Sequence, residues 1–164
     1  MTFLPREIFI DYELCLGCKS CEIACAVEHS ETKELLSVLN DPLPPRKRIF
    51  VCSAFSKNIP LNCSHCEDAP CLRACPTGAL YKEGDLILHA RAICLGCGAC
   101  ETACPFGVIT RYPNSKVIAK CDRCPDRNTP ACVEACPTGA IKFDHRNILE
   151  GVRQKAARSL VTGI

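Results

Sequence analysis

Cys94-Leu-Gly-Cys97-Gly-Ala-Cys100-Glu-Thr-Ala-Cys104-Pro105 is the stretch that decides how this chain folds. Its pattern, C-x2-C-x2-C-x3-C-P, is the spacing that binds [4Fe–4S] clusters in bacterial ferredoxins. Three thiolates two residues apart let a loop curl around one face of a cubic cluster, and Gly96 and Gly98 ease the tight backbone that this needs. The fourth cysteine lies one helical turn further on, and in ferredoxins it binds the neighbouring cluster. Pro105 then prevents the helix from continuing.

Three related cysteine runs accompany this one, and we number the four in chain order as motifs one to four, the opening stretch being motif three. The others are Cys15-x2-Cys18-x2-Cys21-x3-Cys25, Cys63-x2-Cys66-x4-Cys71-x3-Cys75 and Cys121-x2-Cys124-x7-Cys132-x3-Cys136. Together the motifs contain all but one of the 17 cysteines. They predict four [4Fe–4S] clusters, with every motif cysteine as an iron ligand.

The composition of the 164-residue chain favours an inorganic core. The chain has no Trp, one Met, three Tyr and six Phe, which are too few large side chains for an ordinary hydrophobic core. Its formal charge is +2 with neutral thiols. Four oxidised clusters, each about −2 with four thiolates, would bring the loaded protein to about −6. The mild basicity of the sequence therefore indicates no nucleic-acid partner.

A secreted disulfide scaffold and a zinc-stabilised interaction module are the alternatives for so many cysteines. The odd cysteine count and the lack of a signal peptide at Met1–Arg6 argue against disulfides. Tetrahedral zinc has no use for three cysteines at x2-x2 spacing followed by x3-C-P, so the zinc module is the remote alternative. No apolar run approaches the ~20 residues of a membrane span. We expect a cytoplasmic protein without direct membrane insertion, which reaches the inner face of a membrane only through a partner.

The segments between the motifs predict short strands and one longer helix. We expect a strand at residues 8–11, a helix from Lys19 to about His29, a short helix around Lys33–Leu39, hairpins at Leu80–Lys82 with Leu86–His89 and at Val108–Tyr112 with Lys116–Ala119, a strand at Ala140–Phe143 and a tail helix over Asp144–Leu160. The β-rich run Arg48–Phe55 contains Cys52, the one cysteine outside the motifs. We predict Cys52 to be a small buried apolar residue rather than a ligand.

Internal repeats indicate that a two-cluster ferredoxin unit has been duplicated. Cys15-Leu-Gly-Cys18 recurs as Cys94-Leu-Gly-Cys97, and Ala74-Cys-Pro-Thr-Gly-Ala79 recurs as Ala135-Cys-Pro-Thr-Gly-Ala140. One hairpin separates motifs two and three, which is the connection that a single unit needs. Motifs one and four are then left to pair around them. Sequential pairing, one with two and three with four, is the rival, and the long proline-rich insert between motifs one and two disfavours it.

Nesting predicts an outer lobe of residues 1–55 plus 114–144, an inner lobe of residues 56–113 and a tail of residues 145–164. In a two-cluster ferredoxin the fourth cysteine of each motif crosses to the other cluster. The predicted ligand sets are Cys63, Cys66, Cys71 with Cys104; Cys94, Cys97, Cys100 with Cys75; Cys15, Cys18, Cys21 with Cys136; and Cys121, Cys124, Cys132 with Cys25.

The sequence predicts no catalytic apparatus. It contains neither G-x-G-x-x-G nor G-x-x-x-x-G-K-[ST], so we expect no flavin, nicotinamide or nucleotide site. The four histidines are scattered, and we expect them to be internally hydrogen-bonded or solvated. His65 has a second possible role, because it lies between Cys63 and Cys66 and could hydrogen-bond a cluster sulfur. We interpret the chain as an electron carrier and not an enzyme.

The order of the four motifs resembles the four-cluster electron-transfer subunits of molybdenum oxidoreductases, formate dehydrogenases, hydrogenases and carbon monoxide dehydrogenases. The resemblance covers about residues 7–144. It implies an α+β fold of two bacterial-ferredoxin-like βαββαβ lobes, one nested inside the other and stapled by four clusters. It also implies a catalytic oxidoreductase subunit as partner, together with a downstream electron acceptor.

Within that family the chain looks most similar to the ferredoxin-like (CooF-type) subunit of nickel–iron carbon monoxide dehydrogenase. The residues that carry this similarity are Cys25-Ala-Val-Glu-His-Ser30, Cys63-Ser-His-Cys66-Glu-Asp-Ala-Pro-Cys71 and Lys120-Cys-Asp-Arg-Cys124-Pro-Asp-Arg127. The similarity implies carbon monoxide dehydrogenase as donor and a hydrogenase or flavin-dependent reductase as acceptor. The alternative is a subunit of a formate dehydrogenase, hydrogenase or molybdenum oxidoreductase complex.

Overall fold

Short strands and short helices alternate along the chain. The computed structural model describes residues 5–42, 44–54, 56–111 and 117–146 and the single residues Glu150, Gln154 and Arg158. The strands are β1 (Arg6–Ile10), β2 (Ile49–Ala54), β3 (Lys57–Asn62), β4 (Leu80–Glu83), β5 (Leu86–His89), β6 (Thr110–Arg111), β7 (Ile118–Ala119) and β8 (Ile141–His145). The helices are α1 (Ser20–Glu28), α2 (Pro70–Arg73), α3 (Ala99–Ala103) and α4 (Ala131–Glu134). The fold is therefore a small α+β structure.

The described strands form four two-stranded antiparallel sheets. Three are hairpins: β2 with β3, β4 with β5, and β6 with β7. The fourth joins the two ends of the described chain, because β1 pairs with β8 from Arg6 opposite His145 to Ile10 opposite Ile141. Motif one and motif four are therefore brought to the same end of the molecule by one sheet.

Two hairpins confirm the sequence prediction, and one strand was not predicted. β4–β5 has the predicted position, while β6–β7 is shorter than predicted, its connecting residues 112–116 lying outside the described range. The unpredicted strand is β3, which contains Pro60 opposite Val51. A proline lacks the N–H that a central strand must donate, but it is tolerated in a two-stranded sheet that has no third strand to bond.

The length of each motif helix depends on whether a proline follows the fourth cysteine. α1 runs for nine residues, as predicted, because Ala26 stands where the other motifs have proline. The helix predicted around Lys33–Leu39 is instead a 3₁₀ turn at Ser37–Asn40. The tail helix was predicted to begin at Asp144, but residues 144 and 145 belong to the end of β8. Most of the rest of the predicted helix lies outside the described residues.

Cysteines make up a large part of the buried core. One core cluster packs Leu80, Ile87 and Ile109 with cysteines of motifs two and three. A second packs Ile49 and Ile141 with cysteines of motifs one and four. Aliphatic side chains therefore pack against cysteines of all four motifs and shield these thiols from water.

The prediction for Cys52 was wrong, because this side chain is exposed. It lies on β2 one residue after Val51, which packs with Ile49 in the second core cluster. Successive side chains of a strand point to opposite faces, so Cys52 falls on the solvent face of the hairpin. A β-rich run therefore indicated the strand correctly, but it did not indicate which face would be buried.

Candidate iron–sulfur sites

Motifs one and three adopt the same local structure. A 3₁₀ turn precedes each motif, at Tyr12–Leu14 and at Arg91–Ile93. Each motif then enters its helix through a left-handed residue, Lys19 with φ 61° and Gly98 with φ 80°. The second cysteine of each motif, Cys18 or Cys97, is exposed at the surface. The repeat in the sequence is therefore also a repeat in three dimensions.

Gly17 allows the β2–β3 hairpin to lie against the motif-one loop. A Cβ atom added to Gly17 would lie 2.7 Å from Cγ of Asn58 on β3. Lys57 on the same strand pairs with Glu13 at 2.6 Å. The hairpin thus covers one side of the loop that presents the first three cysteines of motif one.

Motifs two and four lie deeper in the protein than motifs one and three. The buried cysteines among their first three positions are Cys63, Cys71, Cys121, Cys124 and Cys132, and Cys66 is half-buried. In motifs one and three, by contrast, only the third of the first three cysteines is buried. The interior of the molecule therefore holds most of the first three cysteines of motifs two and four, whereas motifs one and three each expose one cysteine at the surface.

The cysteines of motifs one and four interact in the crossed pattern. Burial raises the pKa of Cys21 to about 11, and the thiols of Cys136 and Cys15 raise it further. Burial also raises the pKa of Cys132, and the thiols of Cys25 and Cys124 add to this. The fourth cysteine of each of these motifs therefore lies beside the first three of the other.

The cysteines of motifs two and three interact in the same way. Burial raises the pKa of Cys71, with Cys63 and Cys104 adding to the rise. Burial raises the pKa of Cys100 to about 11, with Cys75 and Cys94 adding to the rise. Cys66 packs against the same core cluster, while Cys97 is exposed next to it in the loop.

Two further interactions connect the cysteine groups with one another. Cys121 interacts electrostatically with Cys63, and both belong to a core cluster with Val108. Cys132 interacts in the same way with Cys21. Motifs two and three already share one core cluster. The four groups therefore follow one another in the spatial order of motif three, motif two, motif four and motif one.

The grouped cysteine thiols are suitable ligands for iron–sulfur clusters. A buried thiol resists ionisation, as the pKa of about 12 at Cys121 shows, where burial is the largest cause. Iron in a cluster supplies the positive charge that makes thiolates stable in such a place. Backbone N–H groups also support sulfur ligands: that of Arg48 lies 3.3 Å from Sγ of Cys25, and that of His65 lies 3.4 Å from Sγ of Cys63.

A polar network beside motif four was not predicted from the sequence. His29 Nε2 lies 3.0 Å from a carboxylate oxygen of Asp122, and Arg48 binds the other oxygen. Burial opposes a charge on His29, but Asp122 and the thiols of Cys124 and Cys25 outweigh it and raise the His29 pKa to about 12. His29 and Asp122 lie in the Cys25–Ser30 and Lys120–Arg127 stretches of the sequence and Arg48 lies in neither, so only the fold reveals that the three meet.

His65 is an internally bonded residue. Its ring Nδ1 accepts the backbone N–H of Ile87 at 3.0 Å, which ties motif two to β5. Burial, with the charges of Lys120 and Arg123, lowers its pKa to about 2, so the ring is neutral. His29 and His65 are thus hydrogen-bonded inside the protein, as expected. A hydrogen bond from His65 to a cluster sulfur stays a prediction.

Comparisons with known proteins show that the chain is similar to 4Fe–4S iron–sulfur proteins. The family profile described as "4Fe-4S dicluster domain" matches residues 54–146, and a second, "4Fe-4S binding domain", matches residues 12–28. An "Iron-sulfur protein" of Rhodospirillum rubrum is 40% identical over 83% of this chain and 80% of its own length. The "Putative electron transport protein YsaA" of Escherichia coli K12 is 40% identical over 85% of this chain and 89% of its own length.

A third relative is named for its place in a complex. The "Thiosulfate reductase electron transfer subunit PhsB" of Salmonella typhi is 36% identical, over 88% of this chain and 80% of its own length. In the part of the chain that the structure describes, none of the helices has the length and apolarity needed to cross a bilayer.

Proposed function

Because the chain belongs to the 4Fe–4S dicluster family of electron transport proteins, we propose that it relays electrons through four [4Fe–4S] clusters between a catalytic oxidoreductase subunit and a downstream acceptor. It is an iron–sulfur electron-transfer protein and not itself a catalyst. The clusters supply one-electron redox chemistry, while the chain holds them by its thiolates and excludes water from the inner ones.

The proposed ligand sets are the four nested ones, in which each motif supplies three cysteines to one cluster and its fourth to the paired motif's cluster. The electrostatic contacts of Cys136 with motif one and of Cys25 with motif four support the outer pair. Those of Cys104 with motif two and of Cys75 with motif three support the inner pair. The packing of α1 on α4 and of α2 on α3 supports the same grouping.

The motif pattern of the sequence predicts an outer lobe of residues 1–55 plus 114–144 and an inner lobe of residues 56–113. The β1–β8 sheet supports the outer lobe, because it joins segments that flank motifs one and four. The boundary after residue 55 falls in the turn of the β2–β3 hairpin, and β3 contacts the motif-one loop through Lys57 and Asn58. We therefore propose that β3 belongs with the outer lobe and that the inner lobe begins near Cys63.

The observation that carries the relay is the approach of Cys63 of motif two to Cys121 of motif four, which interact electrostatically and share a core cluster with Val108. These residues belong to different proposed lobes, and without their approach the chain would hold two separate pairs of clusters. With it, the four proposed sites would form one series, and the exposed cysteines Cys18 and Cys97 would belong to its two ends. A series with accessible ends and a buried centre is what an electron relay requires.

We propose carbon monoxide dehydrogenase as the donor and a hydrogenase or flavin-dependent reductase as the acceptor. The support is the motif similarity at residues 25–30, 63–71 and 120–127. A formate-, hydrogen- or molybdenum-dependent enzyme is the second candidate, which the relative named as a thiosulfate reductase subunit favours. We propose a cytoplasmic location, reached without insertion of this chain into a membrane.

Metal analysis and partner reduction test the proposal in turn. Anaerobically purified protein should contain about sixteen irons and sixteen labile sulfides per chain, four of each per cluster. Stoichiometric zinc without broad visible absorption would favour the interaction module instead.

When the protein is mixed with carbon monoxide dehydrogenase under carbon monoxide, its visible absorption should bleach rapidly, and it should not bleach without the enzyme. Ready reduction by formate dehydrogenase or hydrogenase, but not by carbon monoxide dehydrogenase, would select the second candidate.

A further inference from the structure

Buried positive charge is concentrated where motifs two and four meet. Lys120 is only 4% exposed, and its Nζ donates to the carbonyl of Ile87 at 2.5 Å and to that of Cys121 at 3.0 Å. Its ammonium lowers the pKa of Cys71, against the larger effect of burial. One buried charge therefore acts on a cysteine of motif two and lies next to a cysteine of motif four.

Arg123 adds a second cation at this junction. It is more than half buried, and its guanidinium interacts with the thiols of both Cys121 and Cys63. Two carboxylates, Glu7 and Asp85, also interact with it and reduce its effect. A third acid near the junction, Asp122, is paired with both His29 and Arg48. Lys120 has no carboxylate among its hydrogen-bond acceptors in the described structure, so it is the principal charge here.

The two ends of the series have a different electrostatic character. At motif one, burial raises the pKa of Cys21. The buried carboxylate of the next residue, Glu22, raises this pKa further. Lys47 pairs with Glu22 at 2.5 Å, and Lys19 is exposed to water. At motif three Arg111 is half exposed and paired with Glu101 at 2.7 Å, so that solvent and carboxylate screen its charge.

We propose that Lys120, with Arg123, makes the two central clusters, those of motifs two and four, more easily reduced than the two terminal ones. This rests on the proposed function. Each cluster takes up one electron, so its net charge with four thiolates passes from −2 to −3, and no bond forms and no proton moves. A cation held in a low-dielectric interior stabilises the more negative state more than an exposed cation does. Electrons that enter at either end therefore collect at the centre.

The test is a redox titration of the anaerobic holoprotein followed by electron paramagnetic resonance. The wild type should show two clusters that reduce at higher potential and two at lower potential. A soluble paramagnetic relaxation agent assigns them, because it broadens signals near exposed Cys18 and Cys97 more than buried ones. The clusters that reduce first should be the ones that the agent affects least. If the clusters whose signals the agent broadens most are reduced first, the proposal is wrong.

Lys120→Met removes the charge and keeps the length of the side chain. We expect the reduction equilibrium of at least one central cluster to become tenfold less favourable, which is about 59 mV for one electron. The terminal clusters should shift less. Lys120→Arg should keep the wild-type potentials, and Lys82→Met, at an exposed position on β4, should change none. Equal shifts at all four clusters, or none at the central pair, would overturn the proposal.

Cluster content separates this proposal from the proposed function. If the wild type holds fewer than four clusters, the relay fails before the question of charge arises. If Lys120→Met loses iron, Arg123→Gln decides, because it also removes a cation from the junction. With four clusters retained, Arg123→Gln should lower a central potential by a smaller amount, and an unchanged central pair would contradict the charge argument.

Discussion

Arg127 and Glu28 form an ion pair across 99 positions of sequence, with Nη1 of the guanidinium 2.7 Å from Oε2 of the carboxylate. Lys33 binds the other oxygen of Glu28 at 3.1 Å, and Arg127 also pairs with Glu134 on α4. The pair therefore ties the end of α1 to motif four. Burial opposes ionisation of Glu28, but Lys33 and Arg127 outweigh it and lower its pKa.

Glu28→Gln should destabilise the holoprotein by about 1 kcal/mol, the scale of a partly exposed ion pair. Since the folded pKa of Glu28 is lowered, its contribution is present above the unfolded pKa near 4.5 and is lost as pH falls through the folded value. The difference between variant and wild type, measured by anaerobic urea unfolding, should therefore be constant from pH 8 to about pH 5. Glu31→Gln, at an exposed position, is the control. A difference that already shrinks between pH 7 and pH 5 would contradict the assignment.

Gly17→Ala should be more destabilising than Gly84→Ala. Both glycines have positive φ, 72° and 55°, so both variants incur the left-handed cost of about 1–2 kcal/mol. Only at Gly17 would the new Cβ meet another side chain, the terminal amide of Asn58 at 2.7 Å, which must rotate away and lose its hydrogen bond from Ser53, adding about 0.5–1.5 kcal/mol. Urea midpoints measure the difference. The double variant Gly17→Ala with Asn58→Ala should recover the additional part, and failure to recover it would show that the clash is not the cause.

Cys52→Ser should leave both cluster content and stability unchanged. Its side chain is exposed on β2 and belongs to no cysteine group. Surface substitutions of this kind change the free energy of unfolding by less than about 0.5 kcal/mol. Iron and sulfide analysis together with urea unfolding provide the measurement. Loss of four irons would show that Cys52 is a ligand after all.

Cys25→Ser tests the crossed pairing of motifs one and four. The thiol of Cys25 lies with Cys121 and Cys132, so the variant should lose or alter the cluster of motif four. Paramagnetic resonance should show the change in a buried cluster, while the more exposed cluster of motif one keeps its signal. Cys52→Ser is the matched control. Damage at the cluster of motif two instead would favour sequential pairing.

Removal of the clusters should largely unfold the chain. Cysteines form much of each buried core cluster, and without iron their buried thiols leave the interior incompletely filled. Treatment with an iron chelator and oxidant should therefore reduce the far-ultraviolet circular dichroism together with the visible absorption. Iron and sulfide added back anaerobically should restore both signals. Retention of secondary structure after complete iron loss would show that the aliphatic packing suffices.

The sequence predicted those parts of the structure that depend on short-range spacing. The motif loops, α1 and the β4–β5 hairpin follow from ligand spacing, proline positions and alternation, all of which act within one short stretch of chain. The contact of His29 with Asp122 spans 93 positions, and nothing local to either residue indicates it. β3 was missed because Pro60 is a local signal against a strand, and only its edge position makes the proline harmless. Cys52 was misplaced because alternation identifies two faces without saying which one is buried.

The pairing of β1 with β8 has a consequence for biosynthesis. During translation, at about 5–20 residues per second, β1 leaves the ribosome first and has no partner strand until residues 141–145 follow. Motifs two and three and their hairpins emerge in the meantime, so this middle segment can mature while both flanks are still incomplete. If the proposed ligand sets hold, the cluster of motif one would also lack its fourth thiolate, that of Cys136, until most of the described chain has been synthesised.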